Sequence, residues 1–196
     1  MRTEAIVSAA LEIAEARGLA GITTSALARR FQFTEAALYR YFSGKAAIIA
    51  AGLKQLGERL LATMLIELMP DAVLHGQPIE VQLEGHVRRF AARHGLLLEL
   101  LIAAAGGRDH EIQEAGDALL REYGTRVEDY FAALQEQGLL DSPPSAEDLG
   151  RLWVCQLLGG FVRCRLTGEP WDPATQAGFV AFLGQMRSRP HAPAKT

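Results

Sequence analysis

The chain has 196 residues, of which 49% are hydrophobic, with a formal net charge of −3 and a pI near 6.0. That length suits one ordinary domain, or a small domain joined to a larger one. The composition excludes a basic coat over the whole molecule, and the richest apolar run, GLLLELLIAAAGG, is too short for a membrane span and contains Glu99.

The charge is unevenly placed. Residues 1–50 hold six Lys and Arg against four acids, whereas the other 146 hold fourteen against nineteen. A basic start on an acidic body suits a chain that meets a polyanion at one end only.

The elements read as helices throughout, with no strand pattern and no internal repeat. Thr3 to Arg17 carries Ile6, Ala9, Ala10, Ile13 and Ala14 on one stripe, and Gly18 stops it. Leu19 and Ile22 pin the connection. A second helix follows, with Thr23 or Thr24 as its cap and Leu27, Ala28 and Phe31 on its apolar face. Gln32-Phe33 is a break. Thr34 caps a third helix carrying Ala37, Leu38, Tyr41 and Phe42, which ends at Ser43-Gly44. Ser43 can cap the next helix, which opens with Lys45. Two helices across so short a turn make a helix-turn-helix, whose second helix fits the major groove of DNA.

Lys45 lies at the positive end of its helix dipole, so an anion between it and the free backbone N–H groups makes sense of it. A DNA phosphate is such an anion. Tyr39, Tyr41 and Thr24 offer hydroxyls to phosphates, and Arg40 can reach a base edge or a phosphate.

The sequence ITTSALARRF, then TEAALYRYF, then SGKAAIIAAGL resembles the DNA-binding domain of the TetR family of one-component transcriptional regulators. The resemblance covers residues 1 to about 52; beyond it only the length and the all-helical pattern agree. It implies that Thr24 and Ser25 touch the DNA backbone. It places Thr34, Glu35, Ala36, Ala37, Tyr39, Arg40 and Tyr41 on the recognition helix, with Lys45 on a phosphate. The family's turn usually carries Gly-Val. Here Gln32 either accepts a positive φ at a steric cost or shifts the turn.

Lys45 to about Met69 is longer than a three-helix head requires, and reads as the connector from head to body. PDAVLHGQP, residues 70–78, reads as a loop. Helices are expected over residues 79–94, 96–105, 110–137, 145–167 and 173–188. A turn is expected at Gly168 to Pro173, and a loose tail over residues 189–196. The expected architecture is all-α with about nine helices. A helix-turn-helix domain spans residues 1–48, and an effector-binding and dimerisation domain spans residues 49–188.

Gly159, Gly160, Gly178 and Gly184 would allow close helix contact in the pair 145–167 and 173–188. Two such pairs related by a twofold axis would make a homodimer that reads two half-sites of a pseudo-palindromic operator. Cys155 and Cys164 point to opposite sides of one helix, since nine residues turn it by about 180°, and read as free core thiols. Sparse cysteines and the lack of a signal-peptide pattern imply a reducing cytoplasm, and DNA binding implies association with the nucleoid.

His75, His86, His94 and His110 have no metal-ligand spacing, and no catalytic motif appears, so neither metal, cofactor nor enzymatic activity is expected. The body is expected to hold a mostly apolar pocket for a small-molecule effector. Phe90, His94, Leu98, Ile102, Tyr123, Val127, Phe131, Trp153 and Phe161 are its candidate lining. Arg89 and Arg93, one turn apart, could meet an acidic ligand but read better as a solvated face. The expected function is a repressor released by its ligand. A chromosome-associated factor acting through a protein partner, of the nucleoid-occlusion type, is the second reading. A helical enzyme with an interaction head is the third.

Overall fold

A computed structural model describes residues 2–141, 143–169 and 177–186, and these are all-α, with no strand among them. In chain order the helices are α1 (Arg2–Arg17), α2 (Thr24–Phe31), α3 (Glu35–Leu38), α4 (Lys45–Glu67), α5 (Pro70–Leu74), α6 (Ile79–Arg93), α7 (Gly95–Gly106), α8 (His110–Glu136), α9 (Ala146–Thr167) and α10 (Ala177–Gln185). A 3-10 turn at Leu19–Gly21 separates α1 from α2.

The helices gather into two compact units. The first comprises Met1–Leu61 with His94–Arg121, and the second Ala62–Arg93 with Glu122–Thr196. Each is therefore built from two stretches of chain. α4 starts in one and ends in the other.

In the first unit, α1 buries Ile6, Val7, Ala9, Ala10, Leu11 and Ala14. The centre is completed by Ile22, Leu27, Leu38, Ile48 and Leu53, all at most 1% exposed. Two glycines let neighbours approach α4. A Cβ on Gly52 would stand 3.0 Å from Leu11 Cδ2, and one on Gly57 would stand 2.8 Å from Leu119 Cδ1. Both distances are too short for an unshifted neighbour, which is why these places in a long helix carry no side chain.

In the second unit, Val87, Phe90, Val127, Phe131, Leu134, Leu149, Trp153 and Leu157 form the apolar centre. Ser145 caps α9, its hydroxyl accepting from the Asp148 N–H at 3.1 Å. Gly168 closes the helix in the left-handed region at φ 73°.

Several expectations are corrected. Residues 70–78 are not all loop: Pro70 stands at the first turn of α5, where its missing N–H costs nothing and its fixed φ favours the helix. Cys155 is exposed and only Cys164 is buried, so they are free thiols on opposite faces but not both core. Gly44, not Ser43, immediately precedes α4. Within one copy α10 lies against α6, and a Cβ on Gly184 would meet the Glu80 side chain, 2.7 Å from Oε1. Gly159 and Gly178 have open space beside them. The expected turn at 168–173, the ends of the last helix and the tail at 189–196 fall wholly or partly outside the described residues.

Candidate nucleic-acid interface and body groove

The helix-turn-helix is fastened at both caps. The Thr23 hydroxyl accepts from the Ala26 N–H at 3.1 Å, and the Thr34 hydroxyl accepts from the Ala37 N–H at 3.2 Å. Gln32 takes the left-handed conformation at φ 55°, so the turn keeps its geometry and the glutamine carries the steric cost. Phe33 compensates by stacking between Phe31 and Tyr41, with ring centroids 5.7 and 6.3 Å away.

The recognition helix is shorter than expected. Regular α-helix covers Glu35–Leu38, and Tyr39 at ψ −12° tightens the coil. The chain then continues through three-residue bonds from Arg40 to Ala37 and from Tyr41 to Leu38, and a four-residue bond from Phe42 to Leu38. Leu38 and Phe42 are buried and hold the segment on the core, while Thr34, Glu35, Ala36, Tyr39 and Arg40 are exposed on it. Ala37 and Tyr41 are half-buried, as is Thr24, whereas Ser25 is exposed.

Local bonds orient this surface. The Thr24 hydroxyl donates to Glu35 Oε2 at 2.8 Å, tying the start of α2 to the start of α3. Lys45 Nζ donates to the Leu19 carbonyl at 3.0 Å, so its ammonium is drawn across the head to the 3-10 turn. Arg2 Nη1 donates to the Tyr41 hydroxyl over a long 3.4 Å.

Residues 6–51 match the family model described as bacterial regulatory proteins, tetR family. The head is that of the tetR family. The whole chain also shares the fold of solved TetR-type structures. Reduced NemR of Escherichia coli superposes with a TM-score of 0.73 at 13% identity, over 97% of this chain and 99% of that one. Regulatory protein TetR of Rhodobacter sphaeroides gives 0.67 at 18%, over 94% and 97%. Thermus thermophilus FadR, solved with lauroyl-CoA, gives 0.67 at 20%, over 99% of each chain. At such identities the likeness is one of fold. No curated protein matches the sequence.

Of the pocket candidates, six lie in the second unit and His94, Leu98 and Ile102 lie in the first. Phe90, Tyr123 and Trp153 surround the ring of His86, at centroid distances of 6.0, 6.5 and 5.9 Å. Val127, Phe131 and Phe161 are buried, as are His94 and Leu98, but Ile102 is exposed.

Sequence reasoning missed what His86 does. It is fully buried, and both ring nitrogens are engaged. Nδ1 lies 2.8 Å from Glu67 Oε2, and Nε2 lies 3.2 Å from the Tyr123 hydroxyl. Trp153 Nε1 donates to that hydroxyl at 3.0 Å. With the Nδ1 proton on the Glu67 side, one polarised chain satisfies every member. Trp153 donates to Tyr123, Tyr123 donates to His86, and His86 donates to Glu67. Burial pushes the Tyr123 phenol well above its ordinary value, so it remains a donor.

Glu67 also accepts from Arg89 Nε at 2.7 Å. Burial pushes its carboxyl up, but the hydrogen bonds from His86 and Arg89 and the charge of the Arg89 guanidinium outweigh burial and hold it below the usual carboxylate range. Arg89 is therefore not the plain solvated side chain expected. Arg93 lies on the same helix, but its side chain is outside the described residues. The signal available in the sequence was a carboxylate ending a 23-residue helix, where the dipole disfavours it. Such a group calls for cationic or donor partners.

Beside this chain lies a groove of about 710 Å³ on the end of α4, α5 and α6. Ile66, Met69 and Val81 form exposed apolar walls, and Glu67, Gln82, Arg88 and Arg89 supply polar groups. Gln82 is fixed from two sides: its amide donates to the Met69 carbonyl at 3.0 Å and its Oε1 accepts from the Tyr130 hydroxyl. No group of three or more His, Cys, Asp or Glu is placed to hold a metal among the described residues. No helix among them is long and apolar enough to cross a membrane.

Proposed function

We propose that this protein is a homodimeric, sequence-specific transcriptional regulator, a repressor that leaves its pseudo-palindromic operator when a small molecule binds the second unit. The observation that carries the reading is the exposed surface of two capped, core-anchored helices bearing Thr34, Glu35, Ala36, Tyr39 and Arg40. Ser25, Tyr41 and Lys45 flank it with phosphate donors, Thr24 joins them by exchanging its bond to Glu35 for one to a phosphate, and Ala37 adds a small contact at its edge. DNA reading belongs to residues 1–48, and effector binding and dimerisation to residues 49–188. The protein works in the cytoplasm, on the chromosome.

Support for a dimer comes from α9. Leu152, Cys155, Gly159, Val162 and Leu166 are all exposed and recur at alternating spacings of three and four, the period of a helix-packing seam. Leu166 is 82% exposed in the single copy, and Phe182 on α10 adds 41%. An apolar stripe of this kind, with a glycine inside it, suits a second copy related by a twofold axis. Support for a ligand comes from two FadR neighbours of the same fold, solved with lauroyl-CoA and with stearoyl-CoA. A ligand that prefers one of two body states shifts the population of DNA-competent dimers.

The test is recovery of sheared genomic DNA by the purified protein, with Tyr39→Ala and Lys45→Ala as controls. The expected result is one or a few pseudo-palindromes, lost in both variants. Many scattered sites would favour a chromosome-organising role. No sequence preference at modest salt would overturn the reading.

A further inference from the structure

The groove on α4, α5 and α6 has features that plain surface does not need. Arg89 uses only Nε on Glu67. Its guanidinium folds back along α6 over Gly85, where a Cβ would stand 3.1 Å from Nη1 and 3.4 Å from Nη2. A side chain at residue 85 would crowd it. The missing side chain thus leaves the two Nη groups lying across bare helix at the groove wall, held from behind by a carboxylate that is only 10% exposed. A guanidinium fixed in this way is a preorganised anion clamp.

The other walls are apolar. Ile66, Met69 and Val81 remain 75, 43 and 55% exposed, side by side on one groove. Arg88 and Glu84 also border it, and neither makes an ion pair among the described residues. Their charges offset one another, as those of Glu67 and Arg89 do, so what the groove offers an anion is the pair of Nη donors that Glu67 does not engage.

We propose that this groove binds a small amphipathic monoanion, its acidic head on the Nη groups of Arg89 above Gly85 and its apolar body along Ile66, Met69 and Val81. The head competes with Glu67 for the guanidinium. Glu67 is the last residue of α4, so occupancy of the groove acts on the end of the helix that begins at Lys45. This inference rests on the reading of the protein as a ligand-responsive regulator, and it names the ligand class.

The probes are decanoate and decan-1-ol, which share a chain and differ in charge. Binding to the full-length protein is followed by isothermal titration calorimetry. Decanoate is expected to bind at least about tenfold more tightly than the alcohol. Arg89→Gln should abolish that preference. Because Arg89→Gln also removes the Glu67 ion pair, Val81→Asp provides an independent check. It sits on an exposed wall, leaves the buried hydrogen-bond chain untouched, and should weaken decanoate at least about tenfold through charge and lost apolar contact. Equal binding of the two probes by the wild type, or decanoate binding unchanged in both variants, overturns the site.

Two further outcomes separate the site from the regulatory reading. Decanoate binding that depends on Arg89 but leaves DNA affinity unchanged upholds the site and refutes its coupling to DNA. Release from DNA by decanoate that persists unchanged in Arg89→Gln upholds regulation and refutes the site.

Discussion

Trp153 Nε1 and the Tyr123 hydroxyl are 3.0 Å apart in the buried centre of the second unit, and the same hydroxyl lies 3.2 Å from His86 Nε2. One oxygen thus serves two buried nitrogens. Tyr123→Phe removes it while leaving the ring in place. Each nitrogen is then without its partner at a buried site, and an orphaned buried group costs about 1–3 kcal/mol. The variant should lose at least about 2 kcal/mol in urea unfolding. An unchanged midpoint would show that the chain of hydrogen bonds contributes nothing.

Glu67 gives the molecule a pH dependence of known sign. Its carboxyl is held below the ordinary value of 4.5 in the folded protein. Over the interval beneath that value the unfolded chain binds the proton more readily, so stability falls as the pH falls. Glu67→Gln has no such proton to take up. The wild type should therefore be the more stable at about pH 7, with the difference shrinking towards about pH 3. Urea midpoints across that range measure it. A difference that widens in acid would reverse the assignment.

Gln32 occupies a conformation that glycine adopts freely. Gln32→Gly should stabilise the protein by about 0.5–1 kcal/mol, the left-handed penalty less the added entropy of an unfolded glycine. Gln32→Val, β-branched at the same φ of 55°, should lower stability. Thermal unfolding of the two variants should move in opposite directions.

Gly159 separates folding from assembly. Nothing lies within 4 Å of a Cβ built there in a single copy. Gly159→Arg should leave the fold intact and even favour the helix by up to about 1 kcal/mol. In a dimer packed on this stripe it would place a bulky cation against apolar partners. Sedimentation should show wild-type dimer and variant monomer at equal helical content. Identical sedimentation of the two would remove α9 from the interface.

The head was legible in the sequence because its signals are local. Thr23 and Thr34 cap helices within three residues of themselves, and Leu27, Leu38 and Phe42 follow a helical period. Gln32 was recognised as a conformational problem, and the positive φ bears that out. The tightening at Tyr39 was not legible, since the spacing of Leu38, Tyr41 and Phe42 fits a regular helix equally well. In the body, periodicity identified the long helices but not their partners. Glu67 and His86 are nineteen residues apart on different helices, and nothing in either helix alone announces the pair. Residues 70–78 were read as a loop by composition, although a proline at the first turn of a helix is a starter.

The run from Trp153 through Tyr123 and His86 to Glu67 draws one member from each of four helices, α9, α8, α6 and α4. Tyr123 is shared by Trp153 and His86, and His86 by Tyr123 and Glu67, so replacing either of the two middle members strands a buried neighbour. Descendants of this chain would then keep the four together or exchange them together. An alignment of its near kin should show positions 67, 86, 123 and 153 changing as a block, with mixed sets rare.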